Sequence, residues 1–128
     1  MTAIRDVTDL QVYQRALGLL KNIYHLASLI PESHRKLRRQ LIEAAEAIAP
    51  LIAEGFAKKR NETECKRFFE MGMAESDETI THLRETQILS ERSPRIESQF
   101  CENLIKEYKI ESKQLQTLIK NWNKYPVK

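Results

Sequence analysis

Glycine and proline together supply only seven of the 128 residues. An all-β fold of short strands needs frequent turns, so this scarcity disfavours it. Cysteine is scarcer still, with Cys65 and Cys101 alone. Their spacing matches no zinc motif, and two thiols do not make the disulfide framework of a small secreted scaffold. Both are expected to be reduced thiols in a cytoplasmic protein. No stretch reaches the apolar length needed to cross a bilayer, so no membrane partner is expected. Asp6 and Asp9 precede any sustained apolar segment, which argues against a signal peptide.

What is abundant is helical periodicity, in four segments expected at about 9–30, 33–55, 62–90 and 94–122, with a frayed polar tail at 123–128. Asp9 is the expected cap of the first. Leu10, Tyr13, Leu17, Leu20, Tyr24 and Ala27 form its stripe, and Pro31 ends it near Ile30. The second segment starts around Glu32 or Ser33 and buries Leu37, Leu41, Ala44, Ala45, Ile48, Leu51 and Ile52. Pro50 is expected to kink or loosen it, and Gly55 to close it as a left-handed cap. Asn61 and Glu64 resemble a capping box at the start of the third segment. Its inward candidates are Cys65, Phe68, Phe69, Gly72, Ser76, Thr79 and Leu83, with Ile88 or Leu89 near the end. Ser93-Pro94 is the expected start of the fourth, followed by Phe100, Leu104, Tyr108, Glu111, Leu115, Leu118 and Trp122, a near-heptad stripe broken by one acid. Four such segments with short links predict an all-α, antiparallel up-down-up-down four-helix bundle forming a single domain. Ile23, Leu26, Ile105 and Ile119 are left over. They either line an oligomer interface or broaden a single-chain core.

Catalytic constellations are missing. His25, His34 and His82 form no metal-binding pair at i,i+4, and Glu78 with His82 lacks the further glutamates of a di-iron bundle. Gly55 before Lys58 and Lys59 lacks the strand and repeated glycines of a phosphate loop. Cys65 stands in a first helical turn beside Lys66 and Arg67, where a thiol pKa can fall, but buried packing is the stronger reading. The chain is therefore read as a non-enzyme, with no cofactor and no metal.

The charge pattern is more informative than the net charge of +3. Residues 35–60 hold seven basic and three acidic residues, whereas residues 62–97 hold nine acidic and five basic. Arg35, Lys36, Arg38 and Arg39 form one cluster, and Lys58, Lys59 and Arg60 a second at the other end of the second segment. The second cluster suits a helix C-terminus, whereas the first stands at a positive helix end, where the dipole does not favour it. Phosphate contact is the functional reading of these seven residues, and a solvated charged face is the plain one. Glu54 and Glu78 are further acids entered among apolar positions.

The chain resembles the four-helix-bundle family encoded by intervening sequences in bacterial large-subunit ribosomal RNA genes, often called S23-like. The residues that carry this are Asp9-Leu10-Gln11-Val12-Tyr13, Pro31, Leu37 with Gln40, Ala44-Ala45, Ile48 and above all Ile52-Ala53-Glu54-Gly55-Phe56. Phe68, Phe69, Glu78 and Leu83 continue it, so that it covers roughly 7–89 and reaches the fourth segment in periodicity only. Glu43, Ala47, Leu51, Ala74-Glu75 and Tyr13 depart from the family's usual residues. The resemblance implies an antiparallel bundle, a homopentamer and no established reaction. A related branch, the accessory proteins of diversity-generating retroelements, looks like basic rings that bind nucleic acid. The expectation is a noncatalytic bundle that binds structured RNA or other nucleic acid through its basic patches. The alternative is a protein-interaction or homo-oligomeric assembly module.

Overall fold

A computed structural model of the chain describes residues 3–125. Four helices account for most of it: α1 (Gln11–Leu29), α2 (Arg35–Ala57), α3 (Glu62–Leu89) and α4 (Ser98–Asn121), with no strand among the described residues. Each helix packs on its neighbour in sequence, and α4 closes the ring against α1. Tyr24 meets Glu46 across α1 and α2, Ser76 meets Tyr108 across α3 and α4, and Arg15 meets Glu107 across α1 and α4. The fold is an all-α antiparallel four-helix bundle.

Local chemistry explains most of the helix ends. Ile30 precedes a proline, which crowds the helical conformation, and it adopts an extended ψ of 125° that ends α1. Asn61 accepts from the Glu64 amide at 3.1 Å. The reciprocal half of a capping box is absent, because the Glu64 carboxylate binds Arg67 at 2.8 Å. α2 carries Pro50 inside its span.

Several expected ends move. Asp9 does not cap α1: Asp6 and Asp9 form a capping box around a 3-10 turn, Val7–Asp9, and Leu10 precedes α1 without a side-chain cap. A second 3-10 turn, Glu32–His34, fills the place expected for the start of α2. Ser93-Pro94 does not open α4. The Ile96 amide bonds back to the Ser93 carbonyl at 3.0 Å, so the proline occupies a tight turn, and buried Ile96 anchors that loop. Gly55 is no left-handed cap, since no described residue has a positive φ and the helix runs on to Ala57. Nor is the segment after Asn121 frayed throughout. Trp122–Lys124 forms a 3-10 turn and Tyr125 stacks on Trp122 at 5.9 Å, while positions 126–128 of the expected tail lie outside the described residues.

The core runs through Ile23, Leu26, Leu41, Ile48, Ile52, Phe69, Leu83, Tyr108 and Leu115. Fully burying each large aliphatic contributes roughly 1.5–3 kcal/mol before chain entropy is counted. Trp122 closes one end, edge-on to Phe69 at 5.0 Å and Phe56 at 6.4 Å. The expected stripe of α1 is buried at Leu10 and Ala27, but between them the buried face is displaced. Val12, Ala16, Leu19, Ile23 and Leu26 are buried, whereas Leu17 and Tyr24 are 47% and 44% exposed. Both series have helical spacing, so α1 carries two adjacent apolar stripes and buries only one of them fully. Ile23, Leu26 and Ile105 consequently belong to the single-chain core and line no oligomer interface. On α3, Phe68 and Leu89 are half-buried and Ile88 is 68% exposed.

Candidate nucleic-acid interface

The seven basic residues read as phosphate contacts divide into two groups at opposite ends of α2. A helix of this length places them about 35 Å apart at ~1.5 Å per residue, so they form no continuous patch along the helix.

At the first end, the RKLRR cluster has a structural explanation that its helix alone does not supply. Glu32, in the turn before α2, lies 3.8 Å from Arg35 and 3.1 Å from Arg38. Arg38 also donates to the Ile30 carbonyl, one of the acceptors left free where α1 ends. Arg39 faces Glu43 one turn on at 3.7 Å. Lys36 is exposed and has no carboxylate within ion-pair distance among the described residues. It lines a shallow cleft with His34, Gln40, Glu85, Ile88 and Arg92, of mixed charge.

At the second end, Lys58 pairs with Glu54 at 3.4 Å, which offsets the unfavourable carboxylate near the C-terminus of α2. Two aromatic rings hold the cations of this corner. Lys58 lies 5.6 Å and Arg67 4.6 Å from the centre of the Phe68 ring, and Lys59 lies 4.7 Å from that of Phe56. Arg60 is exposed and, like Lys59, pairs with no carboxylate among the described residues. Lys58, Lys59, Arg60 and Asn61 line one open cleft, together with the acidic Glu64.

The other polar candidates resolve differently. His82 is buried, with Nδ1 2.6 Å from Glu85 and Nε2 3.7 Å from Glu78. Burial and then the Glu78 charge raise the Glu75 carboxyl above its ordinary range. Among the described residues no group of three or more His, Cys, Asp or Glu side chains is placed to hold a metal ion. The lowered thiol pKa considered for Cys65 is reversed: burial pushes both Cys65 and Cys101 up to about 11. No described helix is long and apolar enough to cross a membrane.

One arrangement was only half visible in the sequence. Glu111, the acid that interrupts the stripe of α4, is completely buried. Arg15 approaches it from α1 with Nε at 3.8 Å, while the same guanidinium reaches Glu107 at 3.1 Å. Arg15 carries no such signal in the sequence, because it lies on the flank of the α1 stripe, next to Ala16. Its place was recognisable only by its spacing from Val12 and Leu19.

Comparison with curated proteins finds no match for this chain. A family description matches residues 8–117 and so carries the likeness well into α4: the chain belongs to the 23S rRNA-intervening sequence protein family.

Proposed function

We propose that the protein is a noncatalytic assembly module, a single bundle domain of the cytoplasm that associates with copies of itself through the outward side of α1. The observation that carries this reading is the second apolar stripe of α1. Leu17 and Tyr24 are two turns apart on one helical face and stand 47% and 44% exposed. Tyr13 and Leu20 continue the stripe, half-buried. At its edge the Tyr24 hydroxyl donates to Glu46 at 2.5 Å, which orients the ring across α1 and α2. An apolar strip bordered by polar groups suits a partner surface better than water does. The family resemblance makes a homopentamer the first subunit number to test. Light scattering after size exclusion decides the matter. A multimer that dissociates when Leu17 and Tyr24 are both changed to Glu is expected, and a wild-type monomer at all concentrations would exclude self-assembly.

A second reading is contact with nucleic acid, structured RNA or DNA, by attraction of phosphates. It is favoured by the exposed Lys36 and Arg60, and by Lys59, which no carboxylate of the described residues neutralises. Arg35, Arg38, Arg39 and Lys58 each have an acid of the same chain within 4.0 Å, and contribute less. Assembly would bring the sparse cations of several copies onto one surface. Phosphate binding of this kind weakens steeply with salt.

A further inference from the structure

Three neighbouring pairs of helices in the bundle are closely packed, and the contact between α1 and α4 is the thinnest. Its chemistry is also the least complete. Both carboxyl oxygens of Glu111 are buried without a hydrogen-bond partner, and so are the Tyr108 hydroxyl and Arg15 Nε. Elsewhere a buried polar group is normally paired, because leaving it unpaired costs on the order of 1–3 kcal/mol, and more when it is charged. Arg15, the one cation among the described residues that faces Glu111, is drawn outward by Glu107. Arg15, Gly18 and Glu107 line a shallow open cleft along the seam, and nothing lies within 4 Å of where a Cβ on Gly18 would stand.

We propose that the α1–α4 seam is a proton-operated latch, closed while the Glu111 carboxyl is protonated and loosened when it ionises. A neutral carboxyl is tolerated in an apolar interior, but a carboxylate there needs hydrogen bonds that Glu111 does not make in the closed seam. The remedy nearest to hand is for α1 to move outward, so that Arg15 and water enter from the cleft. The other charged or titratable groups around the site reinforce the closed state or are neutral to it. On α4, Glu107 repels an ionised Glu111 and holds Arg15 away, and Tyr108 presents a neutral hydroxyl whose own ionisation burial and the Glu111 charge both oppose. On α1, the Tyr24 hydroxyl donates a hydrogen bond to Glu46 of α2, which occupies that carboxyl group. From α3 comes the Ser76 hydroxyl, bonded to the Tyr108 carbonyl and linked to Ser112, which does not titrate. Burial raises the Glu111 carboxyl to about 8, against the pull of Arg15, so opening grows with pH up to about 8 and levels off above it.

The test is hydrogen exchange of the full chain, read by peptide from pH 6 to pH 9 and corrected for intrinsic exchange. Wild type is compared with Glu111→Gln. In the wild type the opening of α1 is expected to rise by up to tenfold per pH unit up to about pH 8 and then level off, with the α2 and α3 peptides better protected than α1 at every pH; in Glu111→Gln the opening of α1 is expected not to change with pH. Equal pH dependence in the two proteins would overturn the latch. So would α2 and α3 exchanging as fast as α1 at every pH, because the whole bundle would then be opening. If Glu111→Gln does not fold, carbon NMR of the wild-type Glu111 carboxyl decides. A midpoint that tracks the α1 exchange upholds the proposal, and titration in the ordinary carboxyl range near 4.5 sinks it.

Discussion

Gly55 of α2 and Phe69 of α3 touch with no space between them: a Cβ on Gly55 would stand 2.8 Å from two carbons of the Phe69 ring and 3.0 Å from the Cys65 carbonyl. Phe69 has nowhere to retreat, since it is fully buried and packs edge-on against Trp122. The glycine in the Ile52-Ala53-Glu54-Gly55-Phe56 run therefore serves close helix approach.

Gly55→Ala is expected to lower stability by about 1–3 kcal/mol, the usual cost of overpacking, although alanine is the better helix former. Gly18→Ala should raise stability by about 1 kcal/mol, because Gly18 is helical and its Cβ position is open. Urea unfolding of the two variants beside wild type measures both. Equal effects at the two positions would contradict the packing.

Stability should fall as pH rises through the Glu111 window. The folded carboxyl titrates at about 8 and the unfolded one near 4.5, so between these values the native state holds a proton that the unfolded chain has released. That difference removes stability with rising pH, by up to about 1.4 kcal/mol per unit, and the decline ends above the folded value. Glu111→Gln should flatten the slope and leave the variant more stable than wild type at pH 8. Chemical denaturation at a series of pH values gives both slopes.

Cys65 and Cys101 should react slowly with an aromatic disulfide reagent in the native state. Both are fully buried, and burial pushes each thiol up to about 11, so very little thiolate exists at neutral pH. Both should react rapidly in denaturant. A thiol that reacts at once in the native protein would place that residue outside the core.

The basic residues should separate into structural and available ones. Arg38→Gln is expected to cost roughly 1 kcal/mol or more, because it frees the Ile30 carbonyl and the Glu32 pairing. Lys36→Gln and Arg60→Gln should leave stability within about 0.5 kcal/mol, as for other surface changes. If structured RNA binds, Lys36→Glu with Arg60→Glu should weaken it several-fold and reduce its salt dependence. Unchanged binding in that double variant would remove the nucleic-acid reading of these residues.

Much of the bundle was legible because helical signals are local. Pro31 ends α1 through a clash with its immediate neighbour, and Asn61 caps α3 within one turn. The spacing of the α4 stripe placed Glu111 among buried residues without any knowledge of what surrounds it. The candidate interface was less legible. Seven cations look alike in a sequence, yet Arg38 braces the end of α1 while Lys36 stands free of any carboxylate among the described residues.

By itself the sequence determined that four amphipathic helices form and that Glu111 enters their shared interior, because a period of 3.6 residues sets which side chains share a face. Only the tertiary structure decided which of the two apolar stripes of α1 is buried, that Gly55 admits Phe69, and which acid holds each cation. Those outcomes depend on the volumes and charges that neighbouring helices bring into contact, and no spacing within a single segment encodes them.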